Sequence, residues 1–412
     1  MISFINVYTI NSACKISFFY GNNHKSRDIF YICRISNPEG IFKSMIISKL
    51  SVLNYKNIHQ AEIVCSVKTN CFFGNNGMGK TNLLDAIHYL SFCKSHIHTP
   101  DSRLIRNGED LCVLQGVYDY DEKEEDIFCA IRRGQRKQFK RNKKEYERLS
   151  EHIGLLPLVM ISPADSELIR GGSDERRRFV DMIISQHDKQ YLHSLIQYNK
   201  AMMQRNIMLR EHRNDASLYD VLEMQMSMYG VQIYEKRVML VDKLISVFNE
   251  YHSMICDSGE TVGLCYISQL AKGDLAKDLR DSRTKDLLLG YSSVGIHKDD
   301  IEMTLDEQLM RRVGSQGQNK TYLIALKLAQ FAYMASHAST QPMLLLDDIF
   351  DKLDANRVEK IIELVSSDRF GQIFITDTNR KYLDRILEAI GQDYSLFKVE
   401  RGDVCLMENK TI

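Results

Sequence analysis

The sequence of 412 residues has no tryptophan, only five prolines and no C-x-x-C pair among its ten cysteines. So few prolines favour a helix-rich chain with few long loops. Metal sites and disulfide frameworks need clustered or regularly spaced thiols, so the scattered cysteines indicate reduced thiols in a cytosolic protein. Apolar runs long enough to span a membrane and a secretory signal pattern are also missing, so we expect a cytoplasmic protein without a membrane partner.

A net charge is missing as well, because 54 Lys and Arg residues balance 54 Asp and Glu residues. The balance excludes a global basic field, so any contact with DNA must come from local patches. Two clusters of cations are candidates, and either could instead be an ordinary solvated or internally paired surface. The first cluster consists of Arg132, Arg133, Arg136, Lys137, Lys140, Arg141, Lys143, Lys144 and Arg148, and the second of Arg176, Arg177 and Arg178, which Asp174 and Glu175 could pair.

The apolar pattern divides the chain into four segments. Residues 1–44 lack a sustained period, and the sequence from Met45 resembles a fresh start. We interpret them as an N-terminal extension, which is either the product of a mis-assigned start or a genuine extra strand or arm. Residues 45–165 alternate apolar and polar residues and predict β-strands around one helix. Residues 166–288 have helical spacing and predict an inserted helical arm, and residues 289–412 return to an α/β pattern.

Several elements within these segments have expected bounds. A helix should run from about Lys80 to Cys93, after strands that alternate from Ile46 to Phe73. Residues 111–133 predict a pair of antiparallel strands, and residues 153–161 predict another strand. The arm should begin with a helix whose N-cap is Ser173 and whose first turn carries acids.

A glycine-rich segment then indicates a phosphate-binding loop. Residues Gly74, Asn75, Asn76, Gly77, Met78, Gly79, Lys80 and Thr81 match G-x-x-x-x-G-K-[ST] between an apolar strand and a helix. Such glycines let backbone N–H groups turn onto phosphate oxygens, and the helix directs its positive end at the same anion. Lys80 would neutralise the β- and γ-phosphates, and the Thr81 hydroxyl would ligate Mg²⁺. The segment therefore predicts a site for ATP and Mg²⁺.

An apolar strand that ends in two acids supplies the second half of this site. Asp347 and Asp348 follow the run MLLL, and two adjacent carboxylates after a buried strand are costly unless a cation lies nearby. We expect Asp347 to hold Mg²⁺ and Asp348 to deprotonate the attacking water. Asp348 reaches about one methylene less far than a glutamate would, so hydrolysis should be slow.

A serine turn indicates the class of phosphate-loop protein. Ser315, Gly317 and Gln318 open an apolar helix, and such a turn is a second phosphate-binding device. A phosphate loop, then S-x-G-Q, then an apolar strand with paired acids is the order found in ABC ATPases. In them the serine turn of one subunit closes over the nucleotide of another, so we expect an ATP-dependent dimer with Ser315 as a catalytic contact beside Lys80 and Asp348. The alternative is an ordinary helix N-cap.

The predicted fold is α/β, a P-loop ABC-ATPase head with an antiparallel β lobe and an inserted helical arm.

One position departs from the ABC pattern. Thr376-Asp377-Thr378 stands where many ABC ATPases have a switch histidine, which leaves the γ-phosphate sensor unassigned.

The chain from Met45 onward resembles the RecF family of bacterial ABC-type ATPases, which is related to SMC proteins. The ordered blocks are LSVLNYKNI, GNNGMGKTNLLDAIHYLS, ISPADSELIRGGSDERRRFVD, GIHKDD, GSQGQNK and LLLDDIFDKLD. In GIHKDD, Ile296 and Lys298 replace the usual Pro and Arg. The stretch between Thr81 and Asp347 is too short for the coiled-coil arms of SMC-type proteins.

The resemblance implies a weak, DNA-stimulated ATPase that dimerises on ATP and is released by hydrolysis. It also implies binding to single-stranded or gapped DNA and its junctions with duplex. With RecR and RecO as partners, the protein would help load recombinase at damaged or stalled forks and support the SOS response. Two other classes stay open: the nucleotide-binding subunit of an ABC transporter, which predicts a full L-S-G-G-Q signature and a switch histidine, and a scaffold that binds ATP only to fold.

Overall fold

The computed structural model of the protein describes residues 45–97, 99–120, 123–213, 215–256, 259–338, 340–367, 369–391 and 393–410. The predicted N-terminal extension, residues 1–44, lies outside the described residues. The strands are β1 (Met45–Tyr55), β2 (Ile58–Val64), β3 (Thr69–Phe73), β4 (Leu111–Tyr120), β5 (Lys123–Arg132), β6 (Gln138–Arg141), β7 (Lys144–Glu145), β8 (Leu158–Ile161), β9 (Val262–Ile267), β10 (Asp300–Leu305), β11 (Gln308–Leu309), β12 (Met343–Asp347), β13 (Ile373–Asp377), β14 (Tyr394–Glu400) and β15 (Asp403–Lys410). The helices are α1 (Lys80–Phe92), α2 (Glu167–Arg170), α3 (Ser173–His187), α4 (Lys189–Arg210), α5 (Ala216–Ile255), α6 (Leu275–Asp281), α7 (Arg283–Leu289), α8 (Met310–Val313), α9 (Gln316–His337), α10 (Ala355–Val365) and α11 (Arg380–Ile390).

A mostly parallel sheet positions the predicted site. Its strand order is β15-β14-β3-β13-β12-β8, and β15 is the antiparallel edge strand. Strands β12 and β13 are buried throughout, and both read as nearly continuous apolar runs because such strands are covered on both faces. Phe73 pairs with Asp377 and Asp347 with Thr376, so the carboxyl ends of β3, β12 and β13 lie at one edge.

An antiparallel sheet forms the predicted β lobe. Its strand order is β2-β1-β4-β5-β6-β7. Alternate residues of β4 and β5 are buried, and this face packs in one core with the apolar side of α1. The β6–β7 hairpin turns through Asn142 and Lys143, whose φ angles of 50° and 69° give the primed turn that suits a two-residue connection.

Two long helices form an antiparallel hairpin, which we call the arm hairpin (α4 and α5). Three side-chain contacts fix its register: Asp188 with Lys236, Ser194 with Gln232, and Arg205 with Glu223. The buried faces of α4 and α5 belong to the same hydrophobic core as α9 and the parallel sheet. The α/β class, the antiparallel lobe and the inserted helices are therefore as predicted.

Some expected bounds are wrong. Ser173 is the first residue of α3, and Gly172 occupies the N-cap without a side-chain hydrogen bond. The strand expected over residues 153–161 is confined to Leu158–Ile161. Gly154 lies at φ 83°, and a Cβ there would be 2.0 Å from the Gln186 carbonyl oxygen, so the chain turns before the strand. The division of the chain after residues 165 and 288 stays a prediction.

The helices bear on the expectation that the protein has no membrane partner. In the described ranges, none of them combines the length and the apolar character that a bilayer crossing requires.

Candidate functional site

The loop between β3 and α1 has the conformation of a phosphate cradle. Gly77 and Gly79 have φ angles of 79° and 114°, a region that side chains with a Cβ rarely adopt. Gly74 is needed for a different reason, because a Cβ there would be 2.2 Å from the carbonyl oxygen of Val399 on β14. The buried ammonium of Lys80 folds back into the loop and donates to the carbonyl oxygens of Gly74 (2.7 Å) and Asn75 (3.1 Å).

Asn57, in the turn between β1 and β2, braces this loop. Its amide donates to the Gly77 carbonyl oxygen (3.2 Å), and its side-chain oxygen accepts from Asn82 on α1 (2.7 Å). On the other side of the loop, the Met78 carbonyl oxygen accepts from Gly402 N (2.9 Å). Sequence reasoning missed Asn57, because an asparagine in a hairpin turn gives no sign of a contact twenty residues away.

The position predicted for the metal joins the two halves of the motif. The Thr81 hydroxyl donates to Asp347 Oδ1 (2.9 Å), and the Thr376 hydroxyl donates to the same oxygen (2.7 Å). Burial raises the pKa of Asp347 despite these two donors. The structure therefore brings Thr81 and Asp347 together. Thr376 is an additional partner of Asp347, and it lies at the end of β13, where many ABC ATPases have a switch histidine.

Two further carboxylates lie beside Asp347. Burial raises the pKa of both Asp348 and Asp377. The charge of Asp351 adds to the rise at Asp348 and the charge of Asp348 adds to the rise at Asp377, while Lys80 and Lys320 act in the opposite direction. The Lys320 ammonium donates to the carbonyl oxygens of Asp348 (3.1 Å) and Asp351 (2.6 Å). Sequence reasoning missed Lys320 and assigned no role to Asp377. Buried carboxylates whose pKa values are raised are stabilised in their charged form by a nearby cation, so this cluster favours cation binding.

The serine turn lies at the start of α9. Ser315 is the N-cap: its hydroxyl accepts from Gln318 N (3.2 Å), and the Gln318 side chain accepts from Ser315 N (2.9 Å). Gln318 also donates to Glu260 (2.6 Å), which holds the turn against the segment after α5. Ser315 itself is exposed, so the capping box leaves the positive end of α9 facing outward.

One groove of about 630 Å³ connects these parts. It is lined by Asn76 of the phosphate loop, Gln316 at the start of α9, the carboxylates of Asp347, Asp348 and Asp377, and Lys320. Within the part of the chain that the structure describes, no hydrogen bond or ion pair joins Ser315 to the phosphate loop.

A phosphate loop, a carboxylate strand at the same sheet edge and a serine turn at a helix start define an ABC-type ATPase head of the SMC class. Residues 46–401 match the family described as the RecF/RecN/SMC N terminal domain. The chain belongs to the RecF family of DNA replication and repair proteins. This membership decides against the transporter subunit.

The DNA replication and repair protein RecF of Parabacteroides distasonis is 70% identical over 364 residues, covering 88% of this chain and 100% of the relative. That of Bacteroides fragilis is 55% identical over 368 residues, covering 89% and 100%. A solved structure of the recombination mediator protein RecF-ATP in the RecFOR pathway is 28% identical, with a TM-score of 0.80 over 89% of this chain and 100% of that one. An Smc head domain from Pyrococcus furiosus shares the fold alone (16% identity, TM-score 0.55, 89% of this chain and 96% of that one).

Proposed function

We propose that this protein is an ATP-dependent DNA-binding protein of repair and replication, in which ATP binding drives dimerisation and slow hydrolysis releases the dimer. The observation that carries the proposal is the bond from Thr81 to Asp347, which joins the phosphate loop to the carboxylate strand. The relatives support it: one is described in complex with ATP, and others as replication and repair proteins.

The residues present fit ATP and Mg²⁺. The cradle cannot accept a Cβ at Gly74, and its two left-handed glycines leave backbone N–H groups for phosphate oxygens. Lys80 would hold the β- and γ-phosphates, and Thr81 with Asp347 would hold Mg²⁺, which supplies charge neutralisation at the phosphates. No cluster of three His, Cys, Asp or Glu residues suited to a metal occurs in the described ranges, so the nucleotide itself would complete the metal's ligands.

Asp348 is the group that we assign to the attacking water. Its backbone N–H is held by the carbonyl and hydroxyl oxygens of Thr376 (both 3.2 Å), so its position depends on β13. Asp377 stands beside it where other ABC ATPases place the switch histidine, and we assign Asp377 to sensing the γ-phosphate. The short Asp348 side chain favours slow turnover.

The exposed serine turn supports the dimer. Ser315 faces outward at a positive helix end and makes no bond to its own phosphate loop in the described chain, so a second copy can supply the phosphate that the turn binds. Each subunit would then lend Ser315, Gly317 and Gln318 to the nucleotide of its partner.

Sedimentation velocity with and without ATP and Mg²⁺ tests this arrangement. Wild-type protein should dimerise only with ATP. Lys80→Ala should lose nucleotide binding and stay monomeric, whereas Ser315→Arg should bind ATP and stay monomeric. Ser217→Arg, at an exposed helix start on the arm hairpin, is the matched control and should dimerise. Dimers of Ser315→Arg with ATP would overturn the proposal.

The remaining parts of the proposal follow from family membership. The DNA would be single-stranded or gapped DNA and its junctions, the partners RecR and RecO, the outcome recombinase loading with SOS induction, and the location the cytoplasm. Turnover measured with and without DNA tests the enzyme: absence of turnover in both cases would favour a scaffold that binds ATP only to fold.

A further inference from the structure

The first cluster of cations, in residues 132–148, separates into two groups in the structure. Three of its members donate hydrogen bonds to other groups of the protein: Arg133, Lys137 and Arg141. Arg141 donates through Nε (2.8 Å) and Nη2 (2.7 Å) to both oxygens of Glu125, and these bonds lower the pKa of that carboxyl. This paired contact ties β6 to β5.

Lys137 ties the same hairpin to the helix that follows the phosphate loop. Its ammonium donates to the Cys93 carbonyl oxygen (2.6 Å) and the Tyr89 hydroxyl (2.9 Å), and it pairs with Asp101 (3.0 Å). Tyr89 lies in the last turn of α1, whose first residue is Lys80. The hairpin is therefore held rigidly at one end of the helix that carries the phosphate-binding lysine at its other end.

The remaining cations point outward, and we call them the hairpin patch: Arg132, Arg136, Lys140, Lys143, Lys144 and Arg148. Among the described residues none of them makes an ion pair. All are exposed except Lys140, which is half-buried, and Arg136 has one long bond to a backbone oxygen (3.5 Å). Strand β7 is the edge of its sheet, so no further strand covers these side chains.

The second cluster differs, because its three arginines bond to carboxylates or carbonyl oxygens of the protein itself. Arg176 donates to both oxygens of Asp300 (2.7 and 3.0 Å), and Arg177 donates to the Asp299 carbonyl oxygen (2.5 Å). Arg178 pairs with Asp174 and Glu175, as the sequence suggested. Of the two cation clusters, the hairpin patch is therefore the one that presents unpaired positive charge among the described residues.

The extent of the patch and the burial of its aromatic rings favour duplex DNA over a single strand. Strand β6 (Gln138–Arg141) gives about 10 Å of extended backbone, and cations of the patch flank it at both ends, so the patch can contact more than one phosphate of a duplex. Among the described residues of this hairpin, no aromatic ring is fully exposed for stacking on single-stranded bases. Phe139 is buried, Tyr146 is half-buried with its hydroxyl bonded to His152, and Phe128 is half-buried beneath the Lys140 ammonium.

We propose that the hairpin patch holds the phosphate backbone of duplex DNA, without sequence preference, on the duplex side of the junctions that the proposed function addresses. The inference rests on the proposed function and adds the surface that contacts the DNA. Its contacts are charge to charge, so binding should weaken steeply with salt.

The test compares Lys143→Gln/Lys144→Gln with a matched control, Lys277→Gln/Lys285→Gln, in which both lysines are exposed on α6 and α7. Binding of a blunt duplex and of a single strand is measured across a salt series with ATP present. For the duplex, the hairpin variant should lose about ten-fold in affinity at low salt, and its salt slope should fall by about 1.8, or about 0.9 per phosphate contact. The control should match the wild type.

Single-strand binding should change less than duplex binding. Melting temperatures of both variants should equal that of the wild type, since all four lysines are exposed and unpaired. Duplex binding equal to the wild type would overturn the inference and leave the proposed function standing. An equal loss for the single strand would overturn the duplex assignment. A wild-type protein that binds neither DNA would overturn both.

Discussion

A single buried arginine should decide the stability of the arm hairpin. Arg205 on α4 has no exposed side-chain surface, and it pairs with Glu223 (3.1 Å) and Asp286 (2.7 Å), whose side chains are 2% and 0% exposed. It also donates to the Ser292 hydroxyl (2.8 Å) and the Leu279 carbonyl oxygen (3.1 Å). Arg205→Met keeps most of the volume and removes every one of these bonds.

The magnitude follows from what is left behind. Removing one partner of a buried ion pair costs about 3–5 kcal/mol, because the other charge stays buried without compensation. Here Glu223 keeps Arg283 (2.6 Å), and Asp286 keeps the Ser282 hydroxyl (2.9 Å) and Ser293 N (3.0 Å). We therefore expect a loss near the lower end, about 3 kcal/mol.

Hydrogen exchange of the α5 amides around Glu223, supported by urea unfolding followed by circular dichroism, measures this loss. Arg283→Met is the matched control: its side chain is 22% exposed and Glu223 would keep Arg205, so about 1 kcal/mol is expected. The triple variant Arg205→Met/Glu223→Gln/Asp286→Asn should recover part of the loss, since it leaves no unpaired charge. An Arg205→Met protein within about 1 kcal/mol of the wild type would refute the reasoning.

Two further predictions concern the head. Gly74→Ala forces a Cβ to 2.2 Å from the Val399 carbonyl oxygen, so we expect it to lower the unfolding free energy of the nucleotide-free protein by about 1–3 kcal/mol. An unchanged melting temperature would contradict this. Burial lowers the pKa of His152 from 6.5 to about 4, so the unfolded chain binds a proton between these values and the folded protein does not. The free energy of unfolding should therefore fall as the pH drops through this window. Between pH 7 and pH 4, measured by urea titration, the His152→Gln variant should lose about 3 kcal/mol less of this free energy than the wild type.

Local patterns predicted the parts of the site that adjoin in sequence. The glycines, Lys80 and Thr81 share one loop, and Asp347 with Asp348 ends one buried strand, so spacing and burial sufficed. The meeting of Thr81 with Asp347 was also predictable, because parallel strands bring their carboxyl ends to one edge.

Contacts between distant, ordinary-looking residues were not predictable. Asn57 reads as a turn residue, and its bond to the phosphate loop exists only because β1 and β2 fold over that loop. Arg205 and Glu223 read as the solvated faces of two helices, yet both are buried where α4, α5 and α7 meet. The separation of the cations in residues 132–148 into anchoring and free groups likewise depends on distant partners, such as the Cys93 carbonyl oxygen at the end of α1, which accepts from Lys137.

Helix α9, which begins at the serine turn, is bonded both to the segment that follows the arm hairpin and to α10. Glu260, just after α5, holds Gln318, and Arg357 on α10 donates to Thr321 one turn further along α9 (3.1 Å). A change at the turn should therefore be felt by both the arm and the strand that carries Asp347 and Asp348.

The most direct test of a shared nucleotide site is complementation between two inactive variants. Lys80→Ala lacks a working phosphate loop, and Ser315→Arg lacks a working serine turn, so each should be inactive alone. In a mixed dimer, the intact loop of the second variant meets the intact turn of the first. Since neither variant dimerises alone, only mixed dimers form, and each holds one intact site out of two. ATP turnover in an equal mixture should therefore rise well above that of either variant, to at most about half of the wild-type level. A mixture no more active than its components would mean that Ser315 does not serve the nucleotide of a partner.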